Sequence, residues 1–116
     1  MKQREKPKTL LPTLREKDRY IKFQVISEEP ISYSDLEQAI WNQFLDTFGE
    51  FGVSKTSMWL MKNLYIPESQ ISVIKCNSKS VQQIIAGLGL ISRLGDTRMI
   101  IKILKVSGTI KGLKLK

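Results

Sequence analysis

The side chains that could do chemistry in this 116-residue chain are cations. Nineteen lysines and arginines stand against eleven acids, histidine is absent, and the net charge is +8. Without imidazole the commonest general base and metal ligand is missing. Cys76 is the one thiol, and a lone cysteine makes neither an internal disulfide nor a Cys-based metal cluster. No two carboxylates stand at a spacing that suggests a paired acid and base, and Glu28-Glu29 borders a turn. There is no glycine-rich phosphate loop, and the first strand-to-helix connection, SEEPISYS, is acidic. The available chemistry is therefore the binding of an anion rather than the breaking of a bond, and the isolated protein is not expected to be an enzyme.

The cations are unevenly spread. Residues 1–22 hold eight of them with three acids, residues 93–116 hold seven with one acid, and the middle, 23–92, holds four with seven acids. Basic ends on an acidic middle predict an oriented molecule with one anion-seeking side, and the usual large partner of such a side is nucleic acid. No apolar run approaches the ~20 residues of a membrane span, and the N-terminus carries no apolar signal core. With one cysteine and no membrane segment, the expected compartment is the reducing cytoplasm.

Hydrophobic periodicity predicts the elements that must position these charges. MKQREKPKTLLP has two prolines and no period, so residues 1–18 are expected to form a flexible basic arm, followed by one α+β domain over 19–116. RYIKFQVIS alternates as a half-buried strand, with Ile21, Phe23 and Val25 on one face and Tyr20, Lys22 and Gln24 on the other. Ser34 and Glu37 have capping-box spacing ahead of a helical stripe of Leu36, Ile40, Trp41, Phe44, Leu45 and Phe48, with Gly49 and Gly52 expected to end that helix. SMWLMKNLY (57–65) and QISVIKCN (70–77) predict a hairpin around Pro67-Glu68-Ser69. Ser80 and Gln83 predict a second cap, Val81 to Ile91 a second helix with Gly95 as its stop, and TRMIIKILKVS (97–107) a last strand near the sheet centre. Gly87 and Gly89 lie inside that second helix, where each costs about 1 kcal/mol unless close packing uses it.

The order strand, helix, strand, strand, helix, strand predicts a ferredoxin-like, RRM-like βαββαβ fold. It has a four-stranded antiparallel sheet, both helices on one face and a short C-terminal helical turn. First and last strands are central neighbours in this topology, so Lys22 converges with Arg98 and Lys102 on the open face. The fold also serves a common RNA reader that stacks bases on aromatics of its first and third strands. QISVIKCN offers no aromatic, so sequence-specific stacking there is not expected.

Four stretches carry a family resemblance: LPTLREKDRYIKFQVISEE (11–29), AIWNQFLDTFGEFGVS (39–54), MWLMKNLY (58–65) and, most specifically, KVSGTIKGLKLK (105–116). Together they resemble the ribonuclease P protein component 2 family, the archaeal counterpart of a eukaryotic RNase P/MRP subunit. Lys75-Cys76-Asn77 departs from the pattern, which carries an arginine there. The resemblance implies a non-catalytic subunit that supports a catalytic RNA in removing the 5′ leader from precursor tRNA. It implies partnership with the RNA subunit and with a TIM-barrel protein, component 3. The protein would bind no cofactor, and the Mg²⁺ ions would serve the RNA.

Charge and resemblance together assign RNA contact to Arg15, Lys17, Arg19, Lys22, Arg98, Lys102, Lys105, Ser107, Gly108, Thr109, Lys111, Lys114 and Lys116. Thr109 is expected to cap a short terminal turn whose N–H groups at 107–110 face an anion, with Ile110 and Leu113 packed on the domain. The acidic helical side, with Asp35, Glu37, Trp41, Phe44 and Phe48, is assigned to a protein partner. The alternative is a regulatory or interaction module that binds a small ligand or a protein through that side.

Overall fold

The computed structural model describes residues 17–94 and 97–114. Seven regular elements follow one another: β1 (Asp18–Ser27), α1 (Tyr33–Thr56), β2 (Trp59–Leu60), β3 (Ile71–Asn77), α2 (Val81–Gly89), β4 (Arg93–Leu94) and β5 (Thr97–Ser107). Short 3-10 turns occupy Lys62–Leu64, Ser78–Ser80 and Lys111–Leu113. The sheet is antiparallel throughout, in the order β2-β3-β1-β5-β4. It has five strands where four were expected. The added strand, β4, is a two-residue partner of β5, pairing Arg93 with Arg98 and Leu94 with Thr97. The expected neighbours β1 and β5 do pair, from Tyr20↔Ser107 to Ser27↔Met99.

Period-2 alternation in β1 puts Ile21, Phe23 and Val25 into the core. Helical spacing in α1 brings Leu36, Ile40 and Phe44 down on them, and α2 adds Ile84 and Leu88. Both helices therefore cover one face. Each of these fully buried side chains stabilises the fold by about 1.5–3 kcal/mol relative to exposure. The cap of α1 lies two residues earlier than expected: Ser32, not Ser34, accepts from the Asp35 N–H (3.3 Å). Helical geometry breaks at Gly49 (φ 73°, ψ 172°), as its sequence position suggests, but resumes to Thr56 because Val53 and Thr56 have core positions to fill.

The second cap does not form. Ser80 makes no side-chain bond, since a 3-10 turn already leads into α2. That helix ends at Gly89, and the stop expected at Gly95 lies outside the described residues. Gly87 is a packing residue: a Cβ there would stand 2.7 Å from Phe44 Cζ, so the close approach is to α1 rather than to the sheet. The predicted 57–65 strand shrinks to Trp59–Leu60, because the 62–64 turn carries Tyr65 out of the ladder to pack at a tilt of 56° against Tyr33, 5.0 Å between ring centres. Gln70 closes the β2–β3 connection. Its side chain accepts from Ile31 N–H (2.8 Å) and donates to Val25 O (2.9 Å) and Ser27 Oγ (3.2 Å), tying β1 to the start of α1.

Candidate nucleic-acid interface

The interface begins with the phase of one strand. Lys22 pairs with Lys105, Gln24 with Lys102 and Ile26 with Ile100, and the register slips between Lys22 and Phe23. Leu104 is the extra residue of that β-bulge. In an unbroken strand, residues three apart point to opposite faces. The bulge restores Lys105 to the face of Lys102, so the two lysines and Lys22 look outward together, away from the helices. Arg98 and Ile100 continue that face, and Arg93 joins it as the cross-strand partner of Arg98. Arg98, Lys102 and Lys105 are exposed.

The chain after β5 folds over the same face. Thr109 N–H donates to Ser107 Oγ (3.2 Å), and Gly112 N–H donates to Thr109 Oγ1 (3.0 Å). A Cβ at Gly112 would overlap Ser107 Oγ and approach Thr109 Oγ1 to 3.1 Å, so a larger residue there would displace the hydroxyls that hold the turn. Leu113 is fully buried yet stands apart from the helix-side core, as does Val73, the β3 partner of Lys22. Lys22 Nζ donates to the carbonyls of Leu113 and Lys114, each at 3.2 Å. A cation on the last carbonyls of a turn is favourable both as a hydrogen-bond donor and against the turn dipole. The segment is thus a strap with Leu113 as its plug and Lys22 as its clasp.

The assigned residues separate accordingly. Lys102, Lys105, Lys111 and Lys114 are exposed around the strap, and Arg98 stands at the far end of β5. Lys22 is on the right face but is committed to its own chain. Arg19 is half-buried on the helix-side face of β1, donating to Asp18 O (2.8 Å), with its guanidinium against Gly108. Lys17 is exposed, and its carbonyl accepts from Ser78 N–H (2.7 Å). Ser107 and Thr109 serve the turn. The Thr109 N–H expected to face an anion is already spent on Ser107, a correction that follows from the short side-chain loop. Arg15 and Lys116 lie outside the described residues.

On the helical side Asp35 is exposed, Glu37 and Trp41 are partly buried, and Phe44 is wholly buried, so Phe44 cannot offer a partner its side chain. Phe48 packs edge-on against Phe44, 5.7 Å between ring centres. The apolar side chains α1 leaves exposed are Leu45 and Phe51, and Leu45 lines a groove with Trp41, Glu50, Val53 and Met58. The outer face also carries Arg93 and Lys75, which charge and resemblance did not assign to RNA. The Gly-Asp dipeptide between Leu94 and Thr97 is a hairpin signal that would have paired Arg93 with Arg98. Lys75 meets Asp18 at 3.5 Å on the outer face.

Burial moves two acid–base groups far from their ordinary values. Burial above all, helped by Asp18 and opposed by Arg19, pushes the Cys76 thiol up to about 11. Burial, then Glu37 and Tyr65, pushes the Tyr33 phenol up to about 12. Among the described residues no helix is long and apolar enough to cross a membrane.

Fold and charge define a class: a small antiparallel α+β domain with its helices on one face and a cationic strip on the other. A family model described as the Rpp14/Pop5 family matches residues 19–116, and the chain belongs to that family. It is 46% identical over 112 residues to ribonuclease P protein component 2 of Pyrococcus furiosus, covering 97% of this chain and 92% of that one. The protein of the same name from Methanocaldococcus jannaschii is 34% identical over 109 residues, covering 94% and 78%. A chain in the cryo-EM structure of yeast ribonuclease MRP shares the fold, with a TM-score of 0.62 and 14% identity over 82% of this chain and 76% of its own.

Proposed function

We propose that this chain is a protein subunit of ribonuclease P, which supports a catalytic RNA in removing the 5′ leader from precursor tRNA. The 46% identity to ribonuclease P protein component 2, spanning nearly the whole of both chains, carries the reading. The geometry supplies a physical role. Lys102 and Lys105 on β5, with Lys111 and Lys114 on the strap that follows it, are exposed together, which suits the crowded phosphates of a folded RNA. Catalytic Mg²⁺ ions belong to the RNA, and this chain contributes charge neutralisation and position. The helical side, through Asp35, Glu37, Trp41 and the exposed Leu45 and Phe51, takes the TIM-barrel component 3. The assembly works in the cytoplasm.

Reconstitution with the cognate RNA and component 3, assayed on precursor tRNA, is the test. Cleavage should require the RNA, rise on adding this chain, and be absent with the RNA-free protein. Turnover by the repurified, nuclease-treated protein alone, or an RNA activity indifferent to this chain, would overturn the reading.

A further inference from the structure

Where β1 leaves the sheet, the cross-strand partners Ile26 and Ile100 both point outward, 49% and 66% exposed. A groove of about 450 Å³ opens beside them, lined by Ser27, Glu28, Ser92, Arg98 and Met99. That volume lies within the ~300–1,000 Å³ usual for small-ligand sites. The floor is apolar, Arg98 and Glu28 are the charged residues of the lining, and a cationic flank adjoins Arg98. Arg98 flanks Ile100, Arg93 stands directly opposite Arg98, and Lys102 follows on the same face. Two guanidinium groups set as cross-strand partners repel each other, and an anion bound between them relieves that repulsion. Glu28 is occupied close by: its carboxylate accepts from Arg98 N–H (3.4 Å), and its own N–H donates to Arg98 O (3.2 Å).

A flat apolar group joined to an anion fits both halves of this site, and that is the chemistry of a nucleotide. We propose that the groove seats one unstacked base of a bound RNA, with an adjoining phosphate held by Arg93 and Arg98. The flank of Arg93, Arg98 and Lys102 favours a polyanion, and nucleic acid is the polyanion that also brings a flat apolar group to the floor. The floor is aliphatic, so the seat holds a base without choosing among bases. It also lies between β1 and β5, away from the third strand on which the common RNA reader stacks. The proposal rests on the RNA-binding reading above, and the experiment separates the two.

Fluorescence anisotropy would compare a labelled single-stranded oligouridine with an abasic oligomer of equal length and charge, using the full chain. The wild type should prefer the oligouridine by about fivefold to tenfold, the scale of one base contact. Ile100→Ser should erase that preference without changing the slope of log K against log[salt]. Replacing Arg93 and Arg98 by Gln should flatten the slope on both probes by about 0.7 for each phosphate no longer engaged. An unchanged circular dichroism melt for each variant would show that the fold is intact. Equal wild-type affinity for both probes overturns the base seat while leaving the ribonuclease P reading in place. Failure of the wild type to bind either probe or the ribonuclease P RNA overturns both. An Ile100→Ser protein that binds RNA normally but loses component 3 would make the groove a protein-docking surface and overturn the proposal.

Discussion

Lys22 and Lys105 are cross-strand partners on one face, and they should behave differently when mutated. Lys22 Nζ donates to two carbonyls of the C-terminal strap. Hydrogen bonds to a charged group contribute about 1.5–3 kcal/mol each when shielded. One of these is part-buried and the other exposed, so Lys22→Met should cost about 1–2 kcal/mol after solvent competition. For a domain of this size that lowers the thermal midpoint by about 4–8 °C. Leu113 should then leave its site, and the amides of 112–114 should exchange faster. Lys105→Met removes an exposed charge facing another lysine, so stability should stay within about 0.5 kcal/mol of the wild type. Its effect should fall on RNA instead, flattening the salt slope by about 0.7–0.9. Urea unfolding and salt-titrated RNA binding on both variants decide the matter. If the two variants shift midpoint and slope alike, Lys22 does not clasp the strap, and the two lysines are interchangeable surface charges.

Three further outcomes can be checked directly. Gly87→Ala pushes a Cβ to 2.7 Å from Phe44 Cζ and should destabilise the fold, overpacking of about 1–3 kcal/mol exceeding the gain in helix propensity of about 1. Gly89→Ala meets nothing within 4 Å and should be neutral to stabilising, so similar unfolding midpoints for the pair would count against the α1–α2 contact. The Cys76 thiol, buried and pushed up to about 11, should resist thiol reagents at pH 8 in the native protein and react at once in denaturant. The Tyr33 phenol, held up to about 12 in the fold against its ordinary 10, favours the native state while neutral. Its contribution should be complete below pH 10 and lost between pH 10 and about 12, seen as a falling unfolding free energy alongside a late phenolate absorbance step.

The helices, the first strand and the polarity of the sheet are legible in the sequence because each follows from a period in one segment. What escapes reading depends on a partner elsewhere in the chain. Ser32 and Ser34 each stand three residues before an acid, and only the path into the helix decides which one caps it. β2 looks long as a string of apolar residues, yet Tyr65 leaves the ladder for a ring thirty-two positions earlier in the chain. The cationic face is visible as charge at the two ends, but Phe44 and Trp41 share one stripe, and the depth of α1 against α2 buries the first wholly. Lys22 reads as one more free lysine until the strap comes to rest on it.

The bulge at Leu104 works like a frame shift written in side chains. Every residue of β5 after it is displayed on the opposite face from the one a strict alternation would choose. Substitutions there change a property at one site, whereas deletion of a single residue would turn Lys105 toward the helices and Val106 toward the outer face. The polarity of the surface is thereby stored in the spacing of the strand as much as in its composition. A relative with the same lysines but one residue fewer in this strand would show its partners a different protein.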